Sequence, residues 1–323
     1  MSTMADHHVP ALDLNDFTQG GASGRQQFVR ALGNAYQEIG FVAVRNHFLT
    51  DELAIRLYAL IKDFFAMEDA VKQKYEIPSL AGQRGYIGKG KEHAKGRHTG
   101  DLKEFYHIGQ ELQDEDTAAQ GYPANIWPEE IPQMKDTALM AYRALEQTGA
   151  TLLKAVALYL GLAEDYFTPK ITNGNSILRA IYYYPIADPE KIPAGAVRAA
   201  EHGDINLITL LMGASADGLQ LLRRDGTWIP VTALPDQLVV NVGDMLERLT
   251  NGKLKSTIHR VVNPPRHLMQ NSRYSIPFFM HPRSDMSLAA LDNCVGSGNP
   301  RQWEDITAGE FLSQRLKEIG LKK

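Results

Sequence analysis

From Asn173 onward the chain is written in short β-prone runs separated by turn residues, and that rhythm restricts the fold more than any other feature. Residues 177–184, 205–212, 219–222, 228–231, 238–242, 257–262 and 274–280 each read as a strand. Asp225-Gly226 lies between two of them and supplies the left-handed residues that a tight hairpin needs. Many short strands with frequent turns predict a β-sandwich or jelly roll rather than a parallel sheet with crossover helices.

The first hundred residues have a different texture, mixed α/β. Residues 9–14 suit an edge strand. Phe28, Leu32, Tyr36 and Ile39 recur at helical spacing and predict a helix over 26–39, stopped by Gly40. Phe41 to Val44 reads as a buried strand ended by Asn46. Thr50 is an N-cap for a helix that turns Leu53, Leu57, Leu60, Ile61 and Phe64 inward. Residues 82–99, rich in Gly, Lys and His, read as a loop. A long helix is expected over 137–160, closed by Gly161. Thr307 and Glu310 form a capping box for a last helix over 308–319. The expected organisation is mainly β with packed helices. An N-terminal mixed α/β region spans 1–115 and a connecting helical segment 116–172. A jelly-roll core spans 173–285 and a C-terminal segment 286–323.

Composition removes several function classes. A formal net charge of -4 supplies no global basic field for nucleic acid. No apolar run is long enough to cross a bilayer, and residues 1–10 lack the apolar centre of a signal peptide. Cys294 is the sole cysteine, which excludes an internal disulfide and a thiolate-rich metal site. These features fit a reducing, cytoplasmic location and no nucleic-acid or membrane partner.

The residues that carry chemistry are few. In His202-Gly203-Asp204 the two side chains share one face of an extended chain and can grip one ion. His259 lies in a β-branched stretch that reads as an opposing strand. Two imidazoles and one carboxylate leave positions open on a non-haem Fe(II). The same donors also serve zinc hydrolases, so a metallohydrolase is a chemical competitor. His-x-Asp alone is a weak signal among ten histidines. Arg273-Tyr274-Ser275 adds to it, because a guanidinium and a hydroxyl two residues apart on a strand can together hold a carboxylate. A metal triad beside a carboxylate clamp suggests an iron oxygenase with a dicarboxylate co-substrate.

Taken in order, several segments resemble one family: Gly40-Phe41-Val42-Ala43-Val44-Arg45-Asn46-His47, Asp101-Leu102-Lys103-Glu104-Phe105-Tyr106-His107-Ile108-Gly109, Glu201-His202-Gly203-Asp204, Asn241-Val242-Gly243-Asp244-Met245-Leu246-Glu247-Arg248-Leu249-Thr250-Asn251-Gly252, Lys255-Ser256-Thr257-Ile258-His259-Arg260-Val261 and Arg273-Tyr274-Ser275-Ile276-Pro277-Phe278-Phe279. Over most of its length the chain is similar to the isopenicillin N synthase-like family of Fe(II)/2-oxoglutarate-dependent oxygenases. The resemblance implies a double-stranded β-helix, a jelly-roll variant. It implies Fe(II) on His202, Asp204 and His259, with 2-oxoglutarate held by Arg273, Ser275 and Tyr183. Tyr183 is one of three consecutive tyrosines, so Tyr184 is the alternative. The implied reaction couples decarboxylation of 2-oxoglutarate by O₂ to hydroxylation, desaturation or ring closure of a small organic substrate. Relatives such as isopenicillin N synthase and aminocyclopropane-carboxylate oxidase keep the iron and the Arg-x-Ser pair without using 2-oxoglutarate, which leaves that branch open.

Arg84 and Tyr86 are expected to border the substrate pocket, since the matching family region covers it, and Phe279 is expected to face it. The basic stretch with Lys89, Lys91, Lys95, Arg97, His93 and His98 reads as a solvated loop or lid. His107 and His47 read as core or turn-shaping histidines, and His267 and His281 as turn residues near prolines. Asn241-Val242-Gly243-Asp244 reads as a strand end and turn. Cys294 has no base nearby in the sequence and is not expected to be a nucleophile.

Overall fold

The computed structural model describes residues 9–92, 100–111, 121–188, 190, 192, 196–213, 218–231, 234 and 236–318. Strand β1 (Ala11–Asp13) runs parallel to β2 (Phe41–Arg45). It is shorter than the sequence suggests because Asp13 caps a helix, α1 (Leu14–Thr18), accepting from the Asn15 amide at 2.9 Å. Helix α2 (Gly21–Glu38) buries Phe28, Leu32 and Tyr36, as their spacing requires. Gly40 ends the turn after it at φ +73°, and a Cβ there would lie 2.2 Å from the Lys255 carbonyl oxygen. Thr50 Oγ1 accepts from Leu53 N at 3.3 Å and caps α3 (Asp51–Phe65).

Next come α4 (Asp69–Lys72), β3 (Gly85–Ile87) and β4 (Glu104–Gly109). Strand β3 corrects the expectation of a continuous loop after Gly82: it pairs antiparallel with β4, setting Tyr86 opposite Tyr106. Helix α5 (Gln133–Tyr159) begins four residues before the expected start and stops before Gly161, at φ +71°. After α6 (Thr168–Ile171) the chain enters the strand-rich half.

That half contributes β5 (Ile177–Tyr183), β6 (Ala199–His202), β7 (Ile208–Leu211), β8 (Leu219–Leu222), β9 (Trp228–Pro230), β10 (Gln237–Val242), β11 (His259–Val261), β12 (Arg273–Ser275) and β13 (Pro277–Met280). The strand expected over 274–280 is thus two, divided at Ile276. Helix α7 (Asp244–Leu249) follows β10 directly, and α8 (Ala308–Glu318) closes the described chain. The capping box at α8 is reciprocal: Thr307 N donates to Glu310 Oε2 at 2.9 Å and Glu310 N to Thr307 Oγ1 at 3.3 Å.

The large sheet has the order β1-β2-β10-β7-β13-β5-β4-β3, with β12 also paired to β5; the small sheet is β6-β11-β8-β9. The two make a jelly-roll core, a double-stranded β-helix with helices packed on one outer face. Strand alternation sorts the large sheet into two faces. Val42, Ile108, Leu178, Leu210, Val240 and Phe278 join the cluster shared with α2, α3 and α5. Phe41, Phe105, Ile181, Tyr183 and Val239 turn the other way and pack with Leu221, Ile229 and Val261 of the small sheet. Phe278 is fully buried, and its truncation to alanine would cost about 3–5 kcal/mol. The inner face also carries polar residues, which build the site.

Candidate active site

Two short strands bring the histidines together. In the β6–β11 pair His259 and His202 are direct cross-strand partners, so their rings project from the same face with centroids 4.5 Å apart. Asp204 follows His202 by two residues and faces both: its Oδ1 is 3.9 Å from His202 Nε2 and 3.7 Å from His259 Nε2. Ligand atoms from the three residues all lie within 4.8 Å of one another.

Hydrogen bonds orient each member. Asp204 Oδ2 accepts from Thr209 Oγ1 at 2.6 Å and from Asn241 Nδ2 at 2.7 Å, which turns Oδ1 toward the imidazoles. His202 Nδ1 lies 2.7 Å from the Ala200 carbonyl oxygen and His259 Nδ1 3.1 Å from that of Thr257. A carbonyl accepts only, so each Nδ1 carries the proton and each Nε2 presents a lone pair. Enclosure, and then the neighbouring His259, pull His202 down to a pKa of about 4. Burial works against the Asp204 carboxylate, but His259, His202 and its hydrogen bonds outweigh it and hold its pKa below the usual range. Neutral imidazole and ionised carboxylate are the states that bind a divalent ion. The donor set therefore fits Fe(II).

On the adjoining part of the inner face, β12 pairs with β5 so that Arg273 is opposite Tyr183 and Ser275 opposite Ile181. Arg273, Ser275 and Tyr183 are all buried, and the Arg273 guanidinium carbon lies 4.9 Å from the centre of the Tyr183 ring. Tyr182 pairs with Tyr274 on the opposite face and stacks on it, while Tyr184 lies beyond the strand end. Register thus favours Tyr183 among the three tyrosines. Arg198, buried beside the Tyr183 ring, is a second cation here that the sequence did not single out.

A cavity of about 380 Å³ opens on His202 and Asp204. Phe279 lines it. Arg84 and Tyr86 do not, which corrects the sequence reading. The Arg84 side chain is packed so close under Gly109 that a Cβ there would lie 2.1 Å from the guanidinium, and its Nη1 donates to the Gln83 carbonyl at 2.8 Å. The Tyr86 hydroxyl donates to the buried Glu104 carboxylate. Ala81, Gly82 and Gln83 reach the cavity in their place.

His281 is a buried cavity residue rather than a turn residue. Residues 241–244 do hold a strand end, since β10 stops at Val242, but a helix rather than a turn follows: Asp244 opens α7 and lines the cavity. His107 is buried and bonded at both ring nitrogens, yet also reaches the cavity. In the basic stretch, Lys89 pairs with Asp69 and Lys91 with Glu76; His93, Lys95, Arg97 and His98 lie outside the described residues. Cys294 is buried, and burial raises its thiol pKa. Among the described residues no helix is long and apolar enough to cross a membrane.

Comparison with known proteins decides the family. Residues 9–130 match the N-terminal model of the non-haem dioxygenase in morphine synthesis, and residues 174–282 match the 2OG-Fe(II) oxygenase superfamily. A proline hydroxylase of Petromyces alliaceus is 32% identical over 95% of this chain and 98% of its own. This chain belongs to the 2OG-Fe(II) oxygenase superfamily. Other members of the superfamily agree over the full length. A 2-oxoglutarate-Fe(II) type oxidoreductase of Metarhizium majus is 29% identical over 98% of this chain and 96% of its own. A crystal structure of a 2OG-Fe(II) oxygenase family protein from Caulobacter crescentus superposes with a TM-score of 0.85 at 41% identity, covering 96% of this chain and 99% of that one. A Neurospora crassa protein solved with alpha-KG and thymine gives 0.85 at 29% identity, covering 98% of each chain. The chain is accordingly an oxidoreductase that uses Fe(II), 2-oxoglutarate and O₂.

Proposed function

We propose that His202, Asp204 and His259 hold the Fe(II), that Arg273, Ser275 and Tyr183 hold the distal carboxylate of 2-oxoglutarate, and that the cavity beside them takes a small organic substrate. The observation that carries this reading is the pairing of His259 with His202 while Asp204 Oδ1 faces both Nε2 atoms. When bound, the metal and co-substrate supply the oxidising power that attacks a substrate C–H bond. The protein's part is geometry. Thr209 and Asn241 aim the Asp204 carboxylate. The Ala200 and Thr257 carbonyls fix the imidazole tautomers. Arg273, clamped against Tyr183, offers a guanidinium fork that matches a carboxylate.

Relatives support a small polar substrate: one is named a proline hydroxylase and a structural neighbour holds thymine. Their names also favour the 2-oxoglutarate branch over an oxidase that dispenses with it. A cytoplasmic location is consistent with the single cysteine and with iron kept ferrous.

The test is an anaerobic titration of the Fe(II)-loaded protein with 2-oxoglutarate, followed by visible absorbance. A weak charge-transfer band that is lost in Arg273→Ala supports the assignment. Iron binding with no band points to the oxidase branch, and failure to bind iron overturns the triad.

A further inference from the structure

The inner face of β5 continues past the co-substrate end into the cavity. Going back along the strand from Tyr183, the inward positions are Ile181, Arg179 and Ile177, and Asn175 extends the series. On the neighbouring strand Phe279 pairs with Ile177, and His281 lies two residues beyond. Asn175, Arg179, Phe279 and His281 therefore form one wall of the cavity.

Arg179 is rigidly held. Its Nε donates to His107 Nε2 at 2.6 Å and its Nη1 to Glu92 Oε1 at 3.1 Å. His107 can accept because its Nδ1, 2.6 Å from the Gly82 carbonyl oxygen, carries the ring proton. The guanidinium carbon lies 4.4 Å from the ring centre of Phe105 and 5.1 Å from that of Phe279. Such fixation at Nε, Nη1 and two aromatic rings is what a binding group needs and a solvated arginine lacks. Its Nη2 makes no hydrogen bond among the described residues, and the same is true of Asn175 Nδ2 and His281 Nε2. The His281 Nδ1 atom is buried and has no partner among the described residues. A buried lone pair is cheaper to leave unpaired than a buried N–H, so the proton belongs on Nε2, at the cavity. The wall thus presents donors.

Charge narrows what those donors receive. Glu92 bridges Lys103 at 2.7 Å and Arg179 at 3.1 Å, and Lys103 also pairs with Asp101 at 2.9 Å, so two cations and two carboxylates cancel. Apart from Asp204, the lining holds five carboxylates, on Glu92, Asp101, Glu201, Asp244 and Glu318, against three cations, on Lys103, Arg179 and Arg315. Among the described residues, a substrate carboxylate would meet no positive excess in the lining to offset the loss of its hydration. A carbonyl oxygen accepts the same hydrogen bonds at a far smaller desolvation cost.

Resting on the oxygenase reading above, we propose that Arg179, with Asn175 and His281, anchors the substrate, that His107 is the positioning residue for Arg179, and that the substrate is a neutral compound recognised through the carbonyl oxygen of an amide, lactam or imide. Phe279 flanks the bound group, and the apolar side chains of Ile205, Ile258, Leu312 and Leu316 receive the rest of it.

The experiment uses the full chain loaded with Zn(II) and 2-oxoglutarate, which is redox-inert, and reads binding by ligand-observed saturation-transfer NMR. The probes are uracil, 2-pyridone, 2-pyrrolidinone and nicotinamide, set against orotate, picolinate, prolinate and nicotinate. Neutral probes are expected to bind, with nicotinamide preferred to nicotinate. Arg179→Met and Arg179→Lys should each weaken the best probe by about tenfold or more, because a lost hydrogen-bonding partner is heavily discriminated in such sites. His107→Phe should weaken it too, with 2-oxoglutarate affinity by calorimetry unchanged. Preference for the carboxylates, indifference of probe binding to both Arg179 variants, or no binding of any neutral probe to the wild-type chain would each overturn the proposal. Failure of the wild-type chain to bind 2-oxoglutarate would instead strike the site assignments on which it rests.

Discussion

Asn241 Nδ2 donates to Asp204 Oδ2 at 2.7 Å, occupying the oxygen that faces away from the two histidines. Both residues are buried, and Thr209 Oγ1 shares the same acceptor. The carboxylate is thereby held in one orientation before any ion arrives. Outer-shell partners of this kind typically matter by about 10- to 100-fold in metal affinity. Asn241→Leu should therefore weaken Fe(II) binding by about that factor without abolishing it. Competition against a chelator of known affinity measures the change; unaltered affinity would show that the hydrogen bond does not orient the ligand.

The triad itself should be indispensable. His202→Ala and Asp204→Ala are expected to remove metal-dependent succinate formation, a loss of at least about 100-fold, while far-UV circular dichroism stays that of the wild type. The fold survives because its larger apolar cluster lies elsewhere, on the outer face of the large sheet. Turnover near the wild-type rate in either variant would sink the metal assignment.

Removing the clamp should act on the co-substrate. Arg273→Met is expected to raise the apparent KM for 2-oxoglutarate by about 10- to 100-fold, since a charge-assisted bidentate contact is lost. Tyr183→Phe should raise it less, and Tyr184→Phe hardly at all, because only Tyr183 is registered opposite Arg273. Equal effects at both tyrosines would refute the register argument.

The metal-free protein should lose stability as pH falls from about 6.5 toward 4. Burial depresses His281 to a pKa of about 4, and enclosure with the nearby His259 brings His202 to about 4. The unfolded chain protonates these rings near 6.5, so below that pH it binds more protons than the folded chain. The contribution is complete above pH 6.5 and declines until the folded rings also titrate. For His281 it amounts to about 3 kcal/mol at most. Urea unfolding of wild type and His281→Asn at pH 7 and pH 4.5 checks this: the variant should show the shallower pH dependence, and parallel curves would refute it.

The candidate metal triad and the Arg-x-Ser pair are legible in the amino-acid sequence because strand chemistry is local: alternate residues share a face, so His202 with Asp204, and Arg273 with Ser275, announce themselves by spacing. Tyr183 needed one more fact, the β5–β12 register, to be separated from its neighbours. Arg84 and Tyr86 misled because a region that covers the pocket need not point every side chain into it; both are buried in the core, beside and within β3. The far wall was hidden for another reason. Asp244, Leu312 and Arg315 meet the cavity only through long-range packing, when α7 and α8 fold back beside the triad. Arg179 left a trace that the spacing argument passed over: a charged residue inside a buried strand needs a purpose.

Strand β5 has a consequence for how this protein can change over time. Tyr183, proposed to hold the co-substrate, lies at one end of it and the cavity residue Arg179 toward the other, about 13 Å apart for four residues of extended chain. Inserting or deleting one residue between Arg179 and Tyr183 would turn one of the two toward the helices, whichever end kept its pairing. Length variation in this strand is therefore closed to drift, and new substrates must be reached by exchanging side chains in place.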